Sequence, residues 1–163
     1  MFSLEYLHQA EILLQQLRAR GHTLTTAESC TGGLLSALLT EIAGSSDVFT
    51  HGYITYANAA KTAMLGVNET LLHTHGAVSE PVARAMAEGA LAASGASISI
   101  AITGIAGPGG ASADKPVGLV HMAAAQRGES TLHQVQHFLG NRSDVRLQAV
   151  MAAMALVAQQ LSR

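Results

Sequence analysis

The run ISIAITG, starting at Ile98, is mostly apolar, with Ser99 and Thr103 the only polar side chains. That is the pattern of a strand covered on both faces, as in a parallel or mixed sheet. A strand of this kind needs helices packed on each side of it. It runs directly into TGIAGPGGASADKPVG, residues 103–118, where five glycines and two prolines in sixteen residues exclude regular structure. Open α/β sheets hold ligands in loops at the carboxyl ends of such strands, although this glycine order is not the dinucleotide fingerprint G-x-G-x-x-G. A surface loop without function is the other reading.

The remaining segments fit the same layered plan. Leu7, Ala10, Leu14 and Leu17 recur at helical spacing, with Arg18 and Arg20 in the last turn and Gly21 closing the helix. HTLTTAES then reads as a short strand, followed by a Ser-Cys-Thr-Gly-Gly turn and a helix whose face is Leu34, Leu35, Leu38, Leu39 and Ile42. GYITYA is strand-like, and NAAKTAMLGV and NETLLHTHG are two short helices divided near Gly66. Ser79 caps a third, with Pro81 in its first turn, and its alanines and Gly89 predict close packing on a neighbour. LVHMAAAQ and STLHQVQHF are two strands turning near Gly128. A final helix starts near Asn141 or Ser143 and carries Arg142 and Arg146 on one face, against the helix dipole. This order predicts a three-layer α/β/α sandwich with a mixed, mainly parallel sheet, formed by residues 1–163 as one domain.

Composition narrows the function classes. With 48% hydrophobic and 12% charged residues, the chain is a compact folding unit rather than a disordered one. A net charge of −2 gives no basic surface for nucleic acid. The single cysteine, Cys30, excludes an internal disulfide and fits a reducing cytoplasm. The longest apolar run, residues 149–158, is too short to span a bilayer, and the first twenty residues lack the charge order of a signal peptide. His73 with His75, and His133 with His137, are pairs without a metal motif around them, so no metal is expected.

Candidate chemistry concentrates in residues 44–61, GSSDVFTHGYITYANAAK. A serine hydroxyl attacks at neutral pH only when a positioned base takes its proton. A lysine is such a base when desolvation keeps its amine neutral. The chain has only two lysines, Lys61 and Lys115, and Lys61 lies among small and apolar neighbours. Ser46 with Lys61, and Tyr56 as a relay, is therefore the catalytic expectation; a capping serine and a solvated lysine is the plainer one. The turn Ser29, Cys30, Thr31, Gly32, Gly33 offers helix-start N–H groups to an anion. Equally, Thr31 caps the helix while the glycines allow close packing. Cys30 is either a nucleophile near a helix start or a small buried thiol.

In this order, TAESCTGGLLSALLT, AGSSDVFTHGYITYANAAK, GAVSEPVARAMAEGA, ITGIAGPGG and KPVGLV resemble the CinA C-terminal domain family over nearly the whole chain. The resemblance implies an α/β/α fold and a serine-based amidohydrolase, without metal or cofactor, that deamidates nicotinamide mononucleotide (NMN). It places a Ser–Tyr–Lys set on Ser46, Tyr56 and Lys61. It assigns the nucleotide to some of Ser29, Thr31, Gly32, Gly33, Thr103, Gly104, Ala106, Gly107 and Arg142. The chain looks like the stand-alone form, without the N-terminal domain of longer members. Ala57, Ala59 and the AGSS turn depart from the common family pattern. A nucleotide-binding accessory module linked to competence or DNA damage, and a thiol enzyme built on Cys30, are the alternatives. A homodimer through the apolar last helix is an expectation alongside burial of that helix within one chain.

Overall fold

The fold is described by a computed structural model covering residues 2–163. Five strands, β1 (Leu24–Glu28), β2 (Phe49–Ile54), β3 (Ile98–Gly104), β4 (Leu119–Gln126) and β5 (Leu132–His137), form one sheet in the order β2-β1-β3-β4-β5. The pairs β2–β1 and β1–β3 are parallel, and β3–β4 and β4–β5 are antiparallel. Only β4 therefore runs against the other four, and the sheet is mixed with a parallel core, as the sequence predicts.

Helices α1 (Leu4–Ala19), α2 (Leu34–Thr40) and α6 (Arg142–Leu161) cover one face, and α3 (Asn58–Leu65), α4 (Glu69–His75) and α5 (Glu80–Ser94) the other. Strand alternation distributes side chains unequally between these faces. Leu24, Ile98, Ile100, Ile102, Val120 and Met122 fill the core under α1, α2 and α6. The opposite face presents Ala27, Ala101, Ala123 and Ala125 to α5, whose buried residues are Ala83, Ala87 and Ala90 together with Val82 and Met86. Small residues on both sides let α5 lie close to the sheet, and Ser99 Oγ donates to Ala87 O at 2.6 Å. The prediction for Gly89 holds. A Cβ there would sit 2.0 Å from Leu65 O, so the glycine sets how closely α3 approaches α5.

Two local expectations change. Ser79 stands at the N-cap of α5 but makes no side-chain cap; its hydroxyl donates to Gly76 O at 2.9 Å. The strand expected over GYITYA begins three residues earlier and ends at Ile54, because the Thr55 and Tyr56 carbonyls turn toward Lys61. The apolar circumference of α6 is largely accounted for within the chain, where it packs on β3, β4, α1 and α2. Its start carries a full capping box between Asn141 and Asp144, which offsets the two arginines of its first turns. Among the described residues no helix is long and apolar enough to cross a membrane.

Candidate active site

The sheet's connections diverge between β1 and β3. The chain leaves β1 toward β2 on one side, and leaves β3 toward β4 on the other. The carboxyl ends of two such neighbours bound a crevice, the usual ligand position in open α/β folds. Here a cavity of about 270 Å³ opens between Ser29 and Cys30 after β1 and the Thr103–Gly107 stretch after β3. Tyr56, Asn58 and Lys61 close one side, Ala77 and Val78 another, and Arg142 a third.

Lys61 is the chemical centre of this cavity. It is 1% exposed, and its Nζ lies 3.1 Å from Ser29 Oγ, 2.8 Å from Thr55 O and 3.3 Å from Tyr56 O. No carboxylate lies within ion-pair distance of it among the described residues. Burial without a counter-charge disfavours the ammonium form and lowers its pKa below the ordinary lysine value. A neutral amine has two N–H bonds, enough for the two carbonyls, and one lone pair, which is left for the Ser29 hydroxyl.

Ser46 is not at this site. It is exposed, in a short 3-10 turn over Ser45–Asp47 that precedes β2, whereas Lys61 follows the far end of that strand. Six residues of strand separate the two ends by about 20 Å. The expected Ser46–Lys61 pairing is thus corrected to Ser29–Lys61. The parallel register explains the exchange: Glu28 pairs with Ile54, so the residues that follow β1 and β2 emerge side by side. A serine at the carboxyl end of the strand central to the switch point was the signal available in the sequence.

Tyr56 and Arg142 do reach the cavity. Arg142 Nη2 donates to Tyr56 Oη at 2.9 Å and Nη1 to Gly107 O at 2.7 Å, tying the start of α6 to the loops after β2 and β3. Thr103, Gly104, Ala106 and Gly107 line the cavity, with Thr103 Oγ1 fixed on Ala77 O. Thr31, Gly32 and Gly33 do not line it. Thr31 is fully buried, its carbonyl accepts from Arg146 Nη2 at 2.7 Å, and its hydroxyl has no partner and caps nothing. Gly32 and Gly33 have positive φ, +57° and +93°, which the tight turn into α2 requires. The helix-start N–H groups that were expected to meet a ligand are turned instead to the chain's own Glu28.

Cys30 lines the cavity, but burial pushes its thiol up to about 12, so it keeps its proton at neutral pH. The histidine pairs are also rearranged. His133 hydrogen-bonds His121 at 3.0 Å, and lies 3.5 Å from Glu80 on α5. Among the described residues no group of three or more His, Cys, Asp or Glu side chains is arranged to hold a metal ion.

Comparison with known proteins agrees with this architecture. The family model of the CinA C-terminal domain matches residues 7–161. The nicotinamide-nucleotide amidohydrolase PncC of Escherichia coli K12 is 50% identical over 96% of this chain and 94% of its own length. A CinA-like protein of Syntrophobacter fumaroxidans is 50% identical over 90% of this chain but only 34% of its own length. The chain spans about a third of that and similar longer relatives. The crystal structure of the competence/damage inducible protein CihA of Agrobacterium tumefaciens superposes with a TM-score of 0.95 at 44% identity, covering 100% of this chain and 99% of that one. Matched along nearly all its length in sequence and in backbone, the chain belongs to the CinA C-terminal domain family.

Proposed function

We propose that this protein is an amidohydrolase that converts NMN to nicotinate mononucleotide and ammonia, with Ser29 as nucleophile and Lys61 as its base. The observation that carries the reading is the buried, unpaired Lys61 amine 3.1 Å from the Ser29 hydroxyl. The substrate class is that of the E. coli nicotinamide-nucleotide amidohydrolase, which this chain matches over 94% of its length. A phosphate-bearing substrate also suits the charge around the cavity. Arg142 lines the cavity, and it, Lys115 and Arg146 have no acidic partner among the described residues and donate only to carbonyl or hydroxyl oxygens.

In this mechanism Ser29 Oγ attacks the carboxamide carbon as its proton passes to Lys61 Nζ. The oxyanion is met by backbone N–H groups of the turn that follows Ser29, as at other strand-to-helix nucleophile turns. Lys61 returns its proton to the nitrogen, the C–N bond breaks and ammonia leaves. Water, deprotonated by Lys61, then attacks the ester, and the acid is released with Ser29 restored. Tyr56 and Arg142 border the opening and orient the nucleotide.

The test is ammonia release from NMN by the purified protein, with Ser29→Ala and Ser46→Ala beside it. Ser29→Ala is expected to lose about three to six orders of magnitude in kcat, and Ser46→Ala to keep wild-type turnover. Loss in Ser46→Ala with retention in Ser29→Ala would reverse the assignment. NMN binding without ammonia release by the wild type would favour an accessory nucleotide-binding module.

A further inference from the structure

The amide donors at the start of α2 are occupied, and their acceptor is the side chain next to Ser29. Glu28 is fully buried. Its Oε2 accepts from the N–H groups of Gly33 and Leu35, each at 3.1 Å. Its Oε1 accepts from the Ser36 N–H at 2.8 Å and the Ser36 hydroxyl oxygen at 2.7 Å. No cation pairs with it among the described residues. Four donors converging on two oxygens is a pattern that a carboxylate satisfies and a carboxamide does not.

Strand alternation sends Glu28 to the α2 face and Ser29 to the Lys61 face. The turn from Cys30 to Gly33 is thereby held at both ends. Ser29 N–H donates to Ile102 O at 2.9 Å, and Gly33 N–H to Glu28. Within the turn, Gly32 N–H donates to Ser29 O at 3.0 Å. The N–H groups of Cys30 and Thr31 have no acceptor from another residue among those described.

We propose that Glu28 is a positioning residue for Ser29. By binding the start of α2 it fixes the turn in the form that leaves the N–H of Cys30, the turn residue that lines the cavity, without an acceptor from another residue and available to the oxyanion. Glu28 touches neither substrate nor Lys61. The role rests on the serine chemistry proposed above, and not on which amide is the substrate.

The experiment uses a probe that needs no knowledge of the substrate. The full chain is treated with phenylmethanesulfonyl fluoride, and modification of Ser29 is followed by peptide mass across a range of pH. The Ser29 Oγ–S bond forms as the S–F bond breaks, fluoride leaves, and the hydroxyl proton passes to Lys61. Glu28→Gln preserves size but turns an NH₂ group toward amide donors. Ser36→Ala removes one of the four donors and leaves the carboxylate. The labelling rate is expected to fall about tenfold or more in Glu28→Gln and by less in Ser36→Ala. The pH midpoint, set by Lys61, stays at its wild-type position in both.

Wild-type labelling rates in a cooperatively folded Glu28→Gln would overturn the proposal. So would a rate loss that comes with a displaced pH midpoint, or a wild-type Ser29 that is never labelled. If Glu28→Gln does not fold, Ser36→Ala decides by the same two readouts. Labelling that depends on Glu28 in a protein that leaves NMN intact would sink the NMN reading and leave the positioning role standing.

Discussion

Lys61 makes the site's pH behaviour predictable in sign. Burial lowers its folded pKa below the unfolded value of 10.5. The unfolded chain therefore holds this proton more tightly, and burying the charged amine costs stability at neutral pH. That cost fades as pH rises from the folded pKa toward 10.5. In the proposed mechanism the amine must be neutral, so kcat/KM for ammonia release should climb with pH and level off, with a midpoint below 10.5. Lys61→Arg keeps its charge throughout and should lose about 10²–10⁴-fold at every pH. A flat profile across that range would remove Lys61 as the base. Iodoacetamide at neutral pH should leave Cys30 unmodified, since its thiol is pushed up to about 12; rapid alkylation, read by mass, would revive the thiol mechanism. The sequence made Lys61 legible through its rarity and its apolar neighbours. It did not make its partner legible: Ser46 is nearer to Lys61 along the chain, whereas Ser29 is nearer in space because β1 and β2 run parallel.

The position of Lys61 depends on how α3 lies against α5. Gly89 leaves no room for a side chain beneath Leu65, and Leu65 ends the helix that carries Lys61. Gly89→Ala should destabilise the fold by about 1–3 kcal/mol through overpacking, lowering Tm by roughly 2–4 °C per kcal/mol. It should also reduce turnover at temperatures where the protein remains folded, because α3 must move to admit the methyl group. Thermal unfolding together with an ammonia assay checks both, and unchanged values in each would show that the contact is slack. Helices and strands such as β3 and β4 were legible because their periodicity is a local property. The turn after Ser29 was legible only in part. Its glycines and helix start announced an anion, but the anion is Glu28, and which of its donors an in-chain carboxylate takes is settled by tertiary contact.

A net charge of −2 says nothing about where the charges lie. Lys115, Arg142 and Arg146 lie toward the carboxyl end of the sheet without acidic partners among the described residues, while Asp47 and Glu80 pair with arginines elsewhere. Such a local field favours anionic substrates and is screened by salt. KM for NMN should therefore rise with ionic strength, and nicotinamide riboside, which lacks the phosphate, should show a higher KM that responds less to salt. Equal KM values for the two compounds would show that the cations serve the fold alone. Finally, Glu28 and Ser29 are neighbours in β1 whose side chains leave the sheet on opposite sides. Inserting or deleting one residue upstream, with the pairing of β1 held, would exchange them. The hydroxyl would then face α2, and the carboxylate would meet Lys61 and hold its amine in the charged form. Along this strand point substitutions are testable one at a time, but a change of length would silence the proposed base and misplace the proposed nucleophile in a single event.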